Sequence, residues 1–330
     1  MAQPPPAIAA TRLSVRKALA DLRVNDVVFV ACSGGADSLA LAAATVFEGA
    51  KARWRVGLVT VNHQLQPGAD VQAERVALWA RETGFAPVLV ETVQVYGVGG
   101  PEAAARSARY AALSKIAIEH DAAAILLGHT REDQAETVLL ALARGAGSKA
   151  LSGMAPVRGV FRRPFLELPR ELVRAAADGL PVWEDPHNTD PSYARSRVRA
   201  LLPVLEKTIG GGVVASLART AHRLRQDEEF LEALATARQN DLLDSSGSRL
   251  DAKALSSEPT AIRTRVLRLW ALAGGVTAGS LAEAHIEALD ALVCKWRGQG
   301  PVSLPGAVAA RRRDAHLELF GLAGREPALD

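Results

Sequence analysis

Four short apolar runs constrain the fold more than any other feature: residues 27–31 (VVFVA), 56–61 (VGLVTV), 87–93 and 123–127 (AAILL). Each has the length of a strand, is rich in β-branched or aliphatic residues, and lacks the in–out alternation of a half-exposed strand. Between them, residues 39–47, 70–83, 102–119 and 131–142 repeat their apolar positions with helical spacing. Strands that are apolar on both faces and alternate with helices imply a parallel sheet covered on both sides. The expected fold class is therefore α/β, a doubly wound, Rossmann-like parallel sheet. Ligands of such sheets sit beyond the carboxyl ends of the strands, where this chain carries its most unusual residues.

Past Arg144 the pattern loosens into a region punctuated by Gly and Pro, 145–169, followed by a helix expected over 170–177 and a polar loop over 183–191. Pro203 interrupts the next helical stretch and Gly210-Gly211-Gly212 breaks it. The expectation is a catalytic domain over 1–210 and a smaller, mainly helical domain over 211–330, ending in a strand-like segment at 315–320 after the turn signal Leu304-Pro305-Gly306.

The 330 residues carry a formal charge of only +3, so the total says little. The distribution says more. Arg195, Arg197, Arg199, Lys207, Arg219, Arg223 and Arg225 cluster with one acid, Glu206, and Lys295, Arg297, Arg311, Arg312 and Arg313 with none, leaving the remainder acidic. Two basic blocks on an acidic background suit a polyanionic partner, although solvated helix faces account for charge runs equally well. Cys32 and Cys294 are too few for a disulfide framework or a four-thiolate metal site. No charged segment precedes an apolar core at the start, and no apolar run is long enough to span a bilayer, so a soluble, cytoplasmic protein with no membrane partner is expected.

The sharpest chemical signal is Cys32-Ser33-Gly34-Gly35-Ala36-Asp37-Ser38, running from the first strand directly into a helix. Adjacent glycines let successive N–H groups converge on an anion, and the helix N-terminus behind them adds positive potential. The loop lacks the lysine of a Walker A motif and is not G-x-G-x-x-G. Cys32, just inside the strand end, reads as buried filler. A second constellation, His129-Thr130-Arg131-Glu132-Asp133-Gln134-Ala135-Glu136-Thr137, lies between the fourth strand and its helix. Asp133 and Glu136 are three apart and share a helical face, so they can hold a divalent cation or an ammonium group, though acids are common in any first helical turn.

Ser-Gly-Gly-x-Asp-Ser after a first strand resembles the PP-loop of ATP pyrophosphatases, and His-x-x-x-Asp-x-x-Glu-Thr resembles the second signature of the tRNA(Ile)-lysidine synthetases. Further segments match that family in order: Val61-Asn62-His63, Glu102 through Tyr110, Arg144-Gly145-Ala146-Gly147, Leu151-Ser152-Gly153-Met154, Trp183-Glu184-Asp185-Pro186-His187-Asn188-Thr189-Asp190, and Tyr193 through Arg199. Departures are Glu132 where the family has a second Asp, Gln64-Leu65-Gln66 where it has Gly-Leu-Arg, and Ser196 where it prefers Asn. The resemblance covers about residues 25–205 and is to the shorter members.

It implies an enzyme that uses ATP and Mg²⁺ to adenylate the 2-carbonyl of the wobble cytidine in a CAU-anticodon isoleucine tRNA, with L-lysine then displacing AMP. It also implies site roles. Ser33, Gly34, Gly35, Ala36, Asp37 and Ser38 would take the ATP phosphates, with Asp37 on Mg²⁺ and His63 and His129 near the nucleotide. Asp133 and Glu136 would face lysine, and Arg195 or Arg199 would act at the α-phosphate. Arg109, Arg197, Arg219, Arg223, Arg311 and Arg312 would contact tRNA. Whether the chain forms a homodimer stays open. The alternatives are another PP-loop tRNA-modifying enzyme, disfavoured because a thiolase needs paired cysteines, and an inactive tRNA-binding protein, disfavoured because the loop and the acids are intact.

Overall fold

The computed structural model describes residues 3–64, 68–94, 101–184 and 190–321. The motif residues Leu65, Gln66 and Asp185-Pro186-His187-Asn188-Thr189 lie outside the described residues. The chain divides into two compact units, 1–225 and 226–330.

In the first unit the order is α1 (Pro6–Ala18), β1 (Val27–Ala31), α2 (Ala36–Ala52), β2 (Arg55–Asn62), α3 (Ala69–Glu82), β3 (Val88–Thr92), α4 (Pro101–Glu119), β4 (Ala122–Leu127) and α5 (Arg131–Ala143). Then come α6 (Ser148–Leu151), β5 (Val157–Arg158), β6 (Phe161–Arg162), α7 (Arg170–Ala175), α8 (Ala194–Ile209) and the start of α9 (Val213–Leu242). The described strands form a sheet in the order β3-β2-β1-β4-β6-β5, parallel except for the β5–β6 edge pair. The four anticipated strands are its four longest.

The apolar runs are explained by which face each residue supplies. Val28 and Val30 of β1, with Ala124 and Leu126 of β4, join α1 and α2 in one buried cluster. Val27 and Phe29, with Ile125 and Leu127, join Leu113, Ile116 and Ala117 of α4 in the cluster on the opposite face. Period-two alternation thus feeds two cores rather than one core and solvent. The order in which strands are added reverses between β1 and β4, because the chain runs outward from β1 to β2 and β3 and then returns to place β4 on the other flank of β1. Ligands of open α/β sheets bind beyond the carboxyl ends at such a switch point.

Three differences from expectation have physical causes. Helix α1 was not foreseen: it starts on Pro6, a residue suited to a first helical turn, and buries little beyond Thr11 and Val15. Helix α2 starts at Ala36, three residues before the expected segment, because the phosphate loop feeds it directly. The boundary between units falls inside α9 rather than at Gly210, because Ala221 and Arg225 are buried and Arg225 donates to the carbonyls of Ser152 and Met154 in the first unit.

The second unit holds the rest of α9, then β7 (Arg249–Asp251), α10 (Ala252–Ser256), α11 (Thr260–Ala273), α12 (Glu283–Cys294), β8 (Val302–Leu304), β9 (Val308–Arg313) and β10 (His316–Gly321). Its strands form an antiparallel sheet, β7-β10-β9-β8, beside the expected helices. The Leu304-Pro305-Gly306 signal is the β8–β9 hairpin, with Gly306 at φ 86°. Among the described residues, no single helix is long and apolar enough to cross a membrane.

Candidate active site

The carboxyl ends of β1, β2 and β4 open into a cleft of about 380 Å³. It brings together Ser33, Gly35, Ala36, Asp37, Ser38, His63, Arg109, His129, Asp133, Arg195 and Arg199 of the expected site, and adds Arg170, Arg174 and Trp183.

The loop after β1 is shaped by two glycines with different duties. Gly34 lies in the left-handed region at φ 84°, and a Cβ there would clash with Gln72 Nε2 and meet Val76 Cγ2 at 2.9 Å. Gly35 is extended and stands at the N-cap of α2. The Ser38 hydroxyl donates to the Gly35 carbonyl at 2.8 Å and accepts the Ser33 N–H at 3.2 Å, which closes the loop on itself. Trp183 N–H donates to the Gly34 carbonyl at 2.9 Å, tying the segment after α7 to the same loop. Gly128, at the end of β4, lets α2 come close, since a Cβ would lie 3.0 Å from the Asp37 carbonyl. The result is a helix N-terminus with a glycine nest before it, which is an anion site. Cys32 beneath it is 2% exposed, and burial pushes its thiol pKa up, so it is packing and not a nucleophile.

One wall of the cleft is acidic and is held by arginines. Asp133 stands at the third position of α5, where the Thr130 N–H donates to its Oδ2 at 2.7 Å in a capping box. Its Oδ1 takes Arg170 Nη2 at 2.6 Å. Glu136, one turn on and fully buried, accepts Arg199 Nε at 2.8 Å and Arg170 Nη1 at 3.3 Å. Arg170 Nε also lies 3.7 Å from Asp37 Oδ2, so one guanidinium faces three carboxylates. Burial pushes the Asp133 carboxyl pKa up, but Arg170 and the Thr130 N–H outweigh it and hold it below the usual carboxylate range. Asp37 goes the other way: burial and the nearby Asp133 charge raise it to about 6 in spite of Arg170. Its Oδ1 is buried without a hydrogen-bond partner among the described residues, a group that a cation would satisfy.

A basic group lies near the two histidines: Arg109 of α4 lines the cleft, Arg106 and Tyr110 stand on the same helix, and Arg163 donates to the Tyr110 hydroxyl at 3.2 Å. His129 is half-buried, and desolvation together with Arg109, Arg163 and Arg106 drives its pKa down to about 3 although Asp133 opposes this, so it is neutral at physiological pH. His63 is lowered by burial and by Arg109. The Nδ1 atoms of both histidines and Nε of Arg109 are buried without partners among the described residues. Neutral imidazoles beside a guanidinium can hydrogen-bond a nucleotide or a base without adding charge.

Arg170 was missed in the sequence, yet a signal existed. A cation in the first turn of a helix opposes the helix dipole, and Arg170 is the first residue of α7. It is placed by its neighbours: Glu132 Oε2 accepts the Arg170 N–H at 2.7 Å, and Arg131 donates to the Glu167 carbonyl at 2.6 Å. The departure to Glu132 therefore has a defined job, capping α7. The Leu151-Ser152-Gly153-Met154 motif is also structural. Gln134 exchanges two hydrogen bonds with Met154, and a Cβ on Gly153 would meet Gln134 Oε1 at 2.6 Å.

The cleft does not gather every expected residue. Arg197 donates to the carbonyls of Pro191 and Ser192, Arg219 bonds Ser216, and Arg223 is exposed on α9. In the second unit Arg311 pairs with Glu318 at 3.1 Å. Arg312 donates to the Leu292 and Val293 carbonyls at the end of α12. That bond set makes Arg312 a helix C-cap, a structural duty that the sequence reading did not assign.

Comparisons with known proteins match this architecture. A family profile described as a PP-loop domain matches residues 9–205, and one described as a TilS substrate binding domain matches 250–317. The tRNA(Ile)-lysidine synthase of Thermobifida fusca is 53% identical, covering 96% of this chain and 98% of that one. Its counterpart in Streptomyces coelicolor is 49% identical, covering 95% and 98%. The structure of a U34-tRNA thiolase from Methanococcus maripaludis superimposes with a TM-score of 0.54 at 22% identity, over 66% of this chain and 79% of that one, a likeness of fold alone. With near full-length identity of this order and both domains matched in sequence, the chain belongs to the tRNA(Ile)-lysidine synthase family.

Proposed function

We propose that this chain is an ATP-dependent ligase that joins L-lysine to carbon 2 of the wobble cytidine of an isoleucine tRNA with a CAU anticodon. The observation that carries the reading is one cleft lined by both a phosphate nest and Asp133, with the fully buried Glu136 directly behind it, three residues on along α5. The names of the relatives and the substrate-binding profile over 250–317 support tRNA(Ile) as the substrate.

The chemistry runs in two displacements. The cytidine 2-oxygen attacks the α-phosphorus of ATP, the bond to the β-phosphate oxygen breaks, and pyrophosphate leaves. A lysine amine then attacks carbon 2, loses a proton, and AMP departs with the former carbonyl oxygen. The product pairs with A instead of G, which moves the tRNA from the AUG to the AUA codon.

The backbone of Ser33, Gly34, Gly35 and Ala36 and the hydroxyl of Ser38 bind the pyrophosphate portion. The partnerless Asp37 Oδ1 fits a magnesium ion held with the phosphates, and Mg²⁺ would neutralise charge on the departing pyrophosphate. His63 and His129, kept neutral, hydrogen-bond the nucleotide or the flipped cytosine. Arg195 or Arg199 stabilises charge at the α-phosphate, and Asp133 and Glu136 take a lysine ammonium group. Arg109, Arg197, Arg219, Arg223 and Arg311 serve the tRNA backbone, while Arg312 supports that surface from within the fold.

The test is incubation of purified protein with ATP, Mg²⁺, radiolabelled L-lysine and a CAU-anticodon isoleucine tRNA transcript. ATP-dependent label in tRNA that survives mild alkali, with equimolar AMP and pyrophosphate, is expected. Alkali-labile label would mean an aminoacyl ester and would overturn the reading.

A further inference from the structure

The carboxylates read as the lysine site are already neutralised. Asp133 and Glu136 face two guanidinium groups, from Arg170 and Arg199. These two arginines are held very differently. Arg170 is fixed by its own backbone through Glu132, reaches three carboxylates, and its side chain is 16% exposed. Arg199 reaches in from α8, its ion pairs are to Glu136 and Asp133, and its side chain is 36% exposed while lining the cleft.

An ammonium group and a guanidinium group carry the same charge and offer the same kind of donor. The four oxygens of Asp133 and Glu136 already accept from Thr130, Arg170 or Arg199, so the pair offers an entering ammonium no open acceptor. One cation has to leave when an amine enters. The residue with fewer partners and more solvent leaves at lower cost, and that residue is Arg199.

Resting on the assignment of Asp133 and Glu136 to lysine, we propose that the incoming amine replaces the Arg199 guanidinium on these carboxylates while Arg170 remains and positions them. The displaced Arg199 stays in the same cleft, free to turn toward the phosphates. Arg199 is thus a tethered stand-in for the substrate amine, and lysine binding is coupled to its release. Arg170 is a positioning residue and touches no reacting atom.

The exchange has a signature that a purely structural pair lacks. A competitor holding the pair nine-tenths of the time lowers lysine affinity about tenfold, so removing it should tighten binding. L-Lysine titrated calorimetrically into the full chain would be compared for wild type, Arg199→Ala, Arg199→Gln, Arg170→Ala and Glu136→Gln. Both Arg199 variants are expected to bind lysine about tenfold more tightly, with a lower lysine KM and a lower kcat; the glutamine variant guards against a folding defect specific to alanine. Arg170→Ala is expected to bind about tenfold more weakly, because the carboxylates lose their fixed partner. Unchanged or weaker lysine binding by both folded Arg199 variants, with Glu136→Gln weakening it, would overturn the exchange and leave the lysine site standing. Unchanged binding by Glu136→Gln would remove the lysine site itself, and the exchange with it.

Discussion

Replacing Glu136 by Gln keeps the shape of the side chain and removes its charge. In the resting protein Glu136 is fully buried and accepts from Arg199 at 2.8 Å and Arg170 at 3.3 Å. Deleting one member of a buried ion pair costs about 3–5 kcal/mol when its partner is stranded. Here neither partner is stranded: Arg170 keeps Asp133 at 2.6 Å and Asp37 at 3.7 Å, and Arg199 keeps Asp133 at 3.5 Å. The stability loss should therefore be nearer ~2 kcal/mol, read as a lower thermal midpoint of a protein that still folds. The cost to lysine is separate. A charge-assisted hydrogen bond to an ammonium is worth about 1.5–3 kcal/mol, so the lysine KM should rise by about ten- to a hundredfold. Steady-state lysine incorporation at saturating ATP and tRNA measures that number, and pyrophosphate release with lysine omitted measures adenylation alone. A lysine KM within twofold of wild type, in a protein whose thermal midpoint has fallen, would show that Glu136 only braces α5 and that the amine is held elsewhere.

The remaining predictions follow from single contacts. Asp37→Ala should abolish pyrophosphate release, and retention of more than a tenth of the wild-type rate would remove Asp37 from the magnesium site. Because burial and Asp133 raise the Asp37 pKa to about 6, protons compete with the cation below that pH, so Mg–ATP affinity should weaken by up to about tenfold per unit as pH falls below 6; a flat binding profile from pH 7 to 5 would refute this. Gly34→Ala should cost roughly 1–2 kcal/mol for the left-handed backbone alone and should impair ATP binding further by pushing Gln72 or closing the nest, checked by calorimetry. Arg312→Ala should lower the thermal midpoint through loss of the α12 cap, whereas Arg313→Ala, on an exposed strand position, should leave the midpoint unchanged and reduce the salt dependence of tRNA binding; the reverse pattern would undo the division of labour between the two arginines.

Some of this molecule was legible in its sequence because the responsible forces are local. The inner strands β1, β2 and β4 show their burial in the sequence as short apolar runs, and Ser33 through Ser38 carry their conformational demand as adjacent glycines. Asp133 and Glu136 share a face because helical geometry requires it. Other features depend on chain segments far apart. Arg170 meets Asp37, Asp133 and Glu136 only through folding, and nothing near it in sequence names its partners. Arg225 and Arg312 looked like members of basic blocks, but each points a guanidinium at backbone carbonyls that only the folded chain presents. The two-residue strands at Val157–Arg158 and Phe161–Arg162 are too short to show any periodicity. In the second unit's sheet, β10 matches the strand-like segment expected at 315–320, whereas the three-residue strands Arg249–Asp251 and Val302–Leu304 stayed hidden because they gain their identity from partners, not from their own pattern.

The pairing of acids with arginines at the cleft answers a conflict within the proposed reaction. An amine nucleophile has to be held by carboxylates, and it has to be held near a triphosphate. Bare carboxylates beside phosphates repel: two like charges 4 Å apart cost about 4 kcal/mol at the effective dielectric of a protein near its surface. Here every carboxylate on the acidic wall faces a guanidinium, with Arg170 set between Asp37 on the phosphate side and Asp133 and Glu136 on the amine side. The acids are thereby kept close to the nest without presenting uncompensated negative charge to ATP. Their remaining unmet demand is Asp37 Oδ1, which lacks a partner among the described residues and lies where a phosphate-bound cation would satisfy it. The interposed arginine is what allows a phosphate site and an ammonium site to share one cleft. A carboxylate pair without it would have to be either distant from the nucleotide, and useless for aligning the amine, or protonated, and unable to hold an ammonium group at all.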